Sequence, residues 1–222
     1  MGIAENIAAI NSTLLDGVQL IAVSKFHPAE AIMEAYDAGQ RDFGESRVQE
    51  LSAKSPQLPG DIHWHFIGHL QTNKVRQLIP HVDTIQSVDS IRLLKLIDSE
   101  AARIGRSVNA MMQVHVAREE TKFGFTPEEL VAELTPELLD SLHNVTITGV
   151  MGMASNTDDT DRVEADFEAL ANVRRILQEG VMADNSDFRH LSMGMSHDYL
   201  LAMKHGATMV RIGTDIFGER QY

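Results

Sequence analysis

Lys25 stands directly after the apolar run Leu20-Ile21-Ala22-Val23-Ser24 and shares strand parity with Ile21 and Val23. There are six lysines. Lys54, Lys74, Lys95 and Lys204 fall in helical patterns and read as solvated tips, which leaves Lys122 as the one competing loop lysine. An amine at a partly apolar strand end is more easily neutral, which suits condensation with a carbonyl. A lysine snorkelling to the rim explains the position equally well. Two small-residue turns, Ser192-Met193-Gly194-Met195-Ser196 and Arg211-Ile212-Gly213-Thr214, each follow an apolar run. Backbone N–H groups bared by small residues, with the hydroxyls of Ser192, Ser196 and Thr214 beside them, can close on a phosphate. A helix expected to open near His197 would aim its N-terminus at the same spot. Arg211 shares parity with Met209 and Gly213, and a guanidinium inside a strand needs an acceptor because unpaired burial is costly. Either it makes a structural ion pair or it meets the ring nitrogen of a cofactor, keeping that nitrogen unprotonated.

These residues need a frame that brings strand ends together. Eight short apolar runs recur: Leu20–Ser24, Arg41–Gly44, Ile62–Ile67, Asp83–Ser87, Asn109–Val116, Val145–Met151, Phe188–Ser192 and Thr208–Ile212. Between them lie helical patterns. Val163, Phe167, Leu170, Val173 and Leu177 form one stripe, Thr126-Pro127-Glu128-Glu129 has a capping box with proline in the first turn, and His27-Pro28 opens a helix after the first run. Such alternation predicts a parallel sheet, either open and doubly wound or closed. Eight strands favour a single (β/α)8 TIM-type barrel over residues 18–219, within one domain over 1–222. An extra N-terminal helix lies in 1–16, over roughly residues 3–15. In that frame the site sits at the C-terminal strand ends, with phosphate held after strands seven and eight. Lysine and phosphate cradle on one mouth suggest pyridoxal phosphate, or else a lysine-dependent sugar-phosphate aldolase.

Composition narrows the classes. The chain of 222 residues carries a formal charge of −13, which argues against nucleic acid and membrane surfaces as partners. It has no cysteine, so disulfides, thiolate metal sites and a cysteine nucleophile are excluded. No signal peptide or membrane-length apolar run is visible, so a cytoplasmic protein is expected. His63, His65 and His69 (HWHFIGH) put two histidines on one strand face, but no acid has clear ligand spacing with them, and no metal site is assigned. The acidic run Asp158-Asp159-Thr160-Asp161 reads as a helix start, not an EF-hand.

Six segments resemble the YggS/PROSC family of pyridoxal phosphate homeostasis proteins, in family order and over residues 20–219. They are Ile21–Lys25 (IAVSK), Gly39–Glu45 (GQRDFGE), Gly68–Lys74 (GHLQTNK), Gly149–Met153 (GVMGM), Leu191–Ser196 (LSMGMS) and Met209–Gly218 (MVRIGTDIFG). The resemblance implies a barrel like the N-terminal domain of alanine racemase, binding pyridoxal 5′-phosphate. It makes Lys25 the Schiff-base lysine and Arg211 the arginine facing the pyridine nitrogen. It puts Ser192, Gly194, Ser196, Gly213 and Thr214 in the phosphate loops. Gly152 is expected to let the backbone approach the ring. Met151 and Met153 are expected on opposite faces, with Met151 flooring the cofactor. One position departs from the family pattern, in which asparagine usually follows Phe-Gly-Glu. Here Ser46 does, and it is held as a site residue of shorter reach.

The function implied is a non-catalytic carrier that takes part in intracellular pyridoxal phosphate homeostasis, a monomer serving apo-enzymes that need the cofactor. Only residues 213–222 follow the eighth run, too few for the second domain that supplies a racemase with its opposing acid/base. No catalytic residue is therefore assigned. The alternative is an amino-acid racemase or lyase of low activity, for which Tyr36, His69, Tyr199 or Tyr222 would have to serve as the opposing base.

Overall fold

The computed structural model describes residues 2–119 and 123–219. Each apolar run becomes a strand: β1 Gln19–Val23, β2 Asp42–Glu45, β3 His63–Phe66, β4 Thr84–Val88, β5 Val108–Val114, β6 Val145–Gly152, β7 His190–Ser192 and β8 Met209–Ile212. All pair in parallel with their sequence neighbours, and β8 closes onto β1 from Gln19↔Met209 to Ala22↔Ile212. The expected (β/α)8 barrel is therefore the fold. The first helix, α1 (Ile3–Asn11), packs beside α2 (Ala29–Asp37). It stops short of residue 15 because Ser12 Oγ and Thr13 Oγ1 bond back to the carbonyls of Ala9 and Ile10, each at 2.7 Å. Such local bonds compete with a further helical turn.

The outer layer continues with α3 (Val48–Lys54), α4 (Val75–Leu78), α5 (Ile91–Arg103), α6 (Pro127–Glu133), α7 (Pro136–Asp140), α8 (Thr160–Glu179), α9 (Tyr199–Lys204) and α10 (Thr214–Phe217). Helix α6 starts on the capping box at Thr126, and α8 is capped by Asp159 and buries the Val163–Leu177 stripe. One apolar cluster fills the space between helices and sheet. Inside the barrel a second, small one holds only Ile21, Met111, Met151 and Met209. Polar side chains share that interior: Gln86 and Ser192 are fully buried, and His65 and Arg211 nearly so. Gly149 is required where β6 meets β7, since a Cβ there would stand 2.0 Å from the His190 carbonyl oxygen.

Candidate functional site

A cavity of about 300 Å3 opens at the C-terminal strand ends, the size and place at which such barrels bind small molecules. Of the residues singled out in the sequence, Lys25, Ser46, Met151, Ser196, Arg211, Gly213 and Thr214 line it. Lys25 is carried at the end of β1 on a turn pinned from both sides. Lys54 Nζ donates to the Ser24 carbonyl (3.2 Å), to Glu45 Oε1 (2.8 Å) and to Glu50 Oε2 (3.0 Å). Ser24 Oγ also donates to Glu45 Oε1 at 2.7 Å, and Glu50 Oε2 accepts the Phe26 N–H at 2.9 Å. Phe26 adopts φ +68°, a left-handed conformation a phenylalanine rarely takes unless its surroundings impose it. Arg47 lies over its ring at 4.5 Å. Lys54 is thus no solvated tip but a side chain 12% exposed that ties α3 to the backbone beside Lys25. Burial raises the Glu45 carboxyl above the usual range against the pull of Lys54 and Ser24. At Glu50 burial acts the same way, but the Phe26 N–H and Lys54 prevail and hold the carboxyl low.

Arg211 crosses the floor of the cavity with Nη1 donating to Ser192 Oγ (2.6 Å) and Nη2 to the Gly152 carbonyl (2.9 Å). Burial pushes its guanidinium down to about 10, against the pull of Asp198, so it remains a cation at neutral pH. Ser192 does not line the cavity: its hydroxyl is buried between Arg211 and Gln86, to whose Oε1 it donates at 2.7 Å. Gly194 also stands back from it. At φ +92° it brings the loop so close to α9 that a Cβ would meet Ala202 Cβ at 2.7 Å, and its carbonyl accepts the Arg211 N–H. Helix α9 opens at Tyr199, later than expected, because Asp198 Oδ1 turns back to take the Met195 N–H at 2.6 Å.

Gly152 points outward, where a Cβ would lie 2.4 Å from Leu170 Cδ2, so helix packing favours the glycine, and its carbonyl serves Arg211. Met151 and Met153 both line the cavity; residues two apart along a strand share a face. His27, Ile67, Met195 and His197 were not named as cofactor contacts, yet they line it too. His27 stacks on Phe217 with centroids 5.0 Å apart. Its place two residues after Lys25, at a strand end, was the available signal. Of the residues named as opposing bases, Tyr36, Tyr199 and His69 are engaged elsewhere. Tyr36 bonds Asp61, Tyr199 bonds Thr13, and His69 pairs with Asp89 under the Phe123 ring, and none lines the cavity. Lys122 and Tyr222 lie outside the described residues. His63 and His65 meet an acid that their own spacing could not reveal, Asp42 from the neighbouring strand, whose Oδ1 lies 3.2 and 3.3 Å from them. Among the described residues no cluster of three such groups has metal-binding geometry, and no helix is long and apolar enough to cross a membrane.

The alanine racemase N-terminal domain family matches residues 2–221. The "Pyridoxal phosphate homeostasis protein" of Schizosaccharomyces pombe is 40% identical over 207 residues, 91% of this chain and 84% of that one. PipY of Synechococcus elongatus superposes with a TM-score of 0.91 in its structure without PLP, at 44% identity over 97% of this chain and all of that one. Its structure with PLP bound gives 0.87 at 43% identity, with the same coverage. Alanine racemase from E. faecalis, 19% identical, shares the fold at a TM-score of 0.76, with 98% of this chain covering 57% of that one. With this identity and coverage, the chain belongs to the pyridoxal phosphate homeostasis proteins, a family built on the alanine racemase N-terminal domain.

Proposed function

We propose that this protein binds pyridoxal 5′-phosphate through Lys25 and takes part in its homeostasis as a non-catalytic carrier. One observation carries the reading: a single cavity gathers the Lys25 amine, the turns after β7 and β8, and the buried Arg211 guanidinium. That donor set fits the cofactor. When bound, it supplies an aldehyde that condenses reversibly with a primary amine. Lys25 offers that amine from a turn held on both flanks. Ser196 and Thr214, with the backbone N–H groups at Gly213 and Thr214, hold phosphate oxygens at the first turn of α10, as short helices after the last strand do in many such barrels. Val23, Ile67, Met151 and Met153 give apolar walls that shed water from the ring. Ser46 reaches the same cavity with a hydroxyl where the family pattern has an amide.

Arg211 disfavours transamination and decarboxylation. A guanidinium only donates, so a ring nitrogen facing it stays an unprotonated acceptor and the ring is a weak electron sink. The shared name of the relatives points the same way. We place the protein in the cytoplasm as a monomer that passes cofactor to apo-enzymes, because a carrier needs no acid/base from a second subunit. The test is borohydride reduction after incubation with pyridoxal phosphate, followed by peptide mass mapping. A single adduct at Lys25 is expected; scatter over surface lysines would remove the reading. Incubation of the loaded protein with amino acids is expected to give no multiple turnover, and sustained turnover would make it an enzyme.

A further inference from the structure

The interior of such a barrel is normally filled by branched apolar side chains, and here a line of polar ones runs through it. Arg211 Nη1 donates to Ser192 Oγ (2.6 Å), Ser192 Oγ to Gln86 Oε1 (2.7 Å), Gln86 Nε2 to His65 Nδ1 (3.0 Å) and His65 Nε2 to Asp42 Oδ1 (3.3 Å). The links come from β8, β7, β4, β3 and β2. Their direction is fixed at both ends, since a guanidinium cannot accept and an ionised carboxylate cannot donate. Asp42 is held ionised: burial opposes this, but bonds from His65 and Gln19 outweigh it and lower the carboxyl. Gln86 therefore has one usable amide orientation, and its Nε2 also approaches Met209 Sδ at 3.9 Å. His65 must be the Nε2–H tautomer.

We propose that Gln86 and His65, neither of which lines the cavity, are positioning residues that fix the orientation of Arg211 and so set how firmly the cofactor ring is held. This rests on Arg211 facing the ring, as read above. Burying Gln86 and Ser192 completely is costly unless every polar atom is bonded, and the chain satisfies them in one arrangement that ends on Arg211. With Gln86 replaced, the Ser192 hydroxyl loses its acceptor and is free to turn its proton toward the guanidinium.

The test measures pyridoxal phosphate dissociation constants for wild type, Gln86→Met, Arg211→Gln and the double variant, with melting of the cofactor-free proteins as the fold control. Gln86→Met is expected to weaken binding roughly tenfold, the size of one charge-assisted hydrogen bond. It should shift the bound cofactor's absorbance, keep the Lys25 adduct, and add nothing to Arg211→Gln. Wild-type affinity in Gln86→Met with weakened Arg211→Gln overturns the chain and leaves the Arg211 contact standing. Wild-type affinity in Arg211→Gln overturns both. Full additivity means Gln86 acts elsewhere and overturns the chain. If Gln86→Met does not fold, Ser192→Ala makes the same comparison. In the cofactor-free protein, ring nitrogen NMR is expected to show His65 as the Nε2–H tautomer, and the Nδ1–H tautomer would break the proposed direction.

Discussion

Replacing Lys54 by methionine tests the clamp behind Lys25. The substitution keeps the stem's volume and removes the ammonium that Glu45, Glu50 and the Ser24 carbonyl share. Glu45 is fully buried, and its Oε2 already lacks a partner, so without Lys54 its charge is supported only by the Ser24 hydroxyl. Breaking a buried pair from one side costs about 3–5 kcal/mol, or about 6–20 °C in Tm for a chain of this size. The sign with pH follows from Glu45. Its folded pKa is already raised by burial, and losing Lys54 raises it further. The folded state therefore favours the neutral acid, and stability is full below the unfolded value of about 4.3 and falls as pH rises through the folded one. The deficit of Lys54→Met, read from urea unfolding, is thus expected to be near its full size at pH 8 and clearly smaller at pH 5. Adding Glu45→Gln should recover most of it at pH 8. A deficit under about 1 kcal/mol, equal at both pH values, is what an exposed pair would give and would refute the clamp.

Lys25→Ala is expected to abolish the borohydride-trapped adduct while changing unfolding free energy by no more than about 1 kcal/mol; a surviving single adduct would move the site to another lysine. Gly149→Ala should destabilise by about 3 kcal/mol or more, because the new methyl meets the fixed His190 carbonyl, whereas Gly152→Ala meets the movable Leu170 side chain and should cost about 1–3 kcal/mol. Equal melting shifts for the two would contradict that reasoning. Inorganic phosphate is expected to compete with cofactor binding, and Thr214→Val with Ser196→Ala to weaken that competition several-fold; undiminished competition would place the phosphate away from the two turns.

The chain of local signals was legible where a residue acts through its own segment. Apolar runs marked all eight strands, the capping box at Thr126 marked α6, and the position of Lys25 after β1 marked the cavity. Ser196, Gly213 and Thr214 were legible because two small-residue turns follow the last two strands; either turn alone would read as an ordinary chain reversal. Ser192 shows where that logic stops. It carries the same hydroxyl in the same motif, but inside β7 its partners are Arg211 and Gln86, the latter 106 residues away in sequence. Lys54 looked like a helix-surface lysine because nothing nearby in sequence announces that Glu45 is buried beneath it.

By itself the sequence determined the (β/α)8 alternation, a strand-end lysine beside two small-residue turns that suits pyridoxal phosphate or a sugar phosphate, and half of the side chains around the cavity, while the family resemblance chose between the two ligands. These depend on periodicity and on chemistry within a few residues. Only the tertiary structure decided what each polar group faces: that Gly152 yields space to Leu170, that Met151 and Met153 share the wall, and that Asp42, His65, Gln86 and Ser192 join into one line under Arg211. Barrel closure sets those partners, because it brings five strands distant in sequence to a common axis where hydrogen-bond partners within a few ångströms must be found inside the protein.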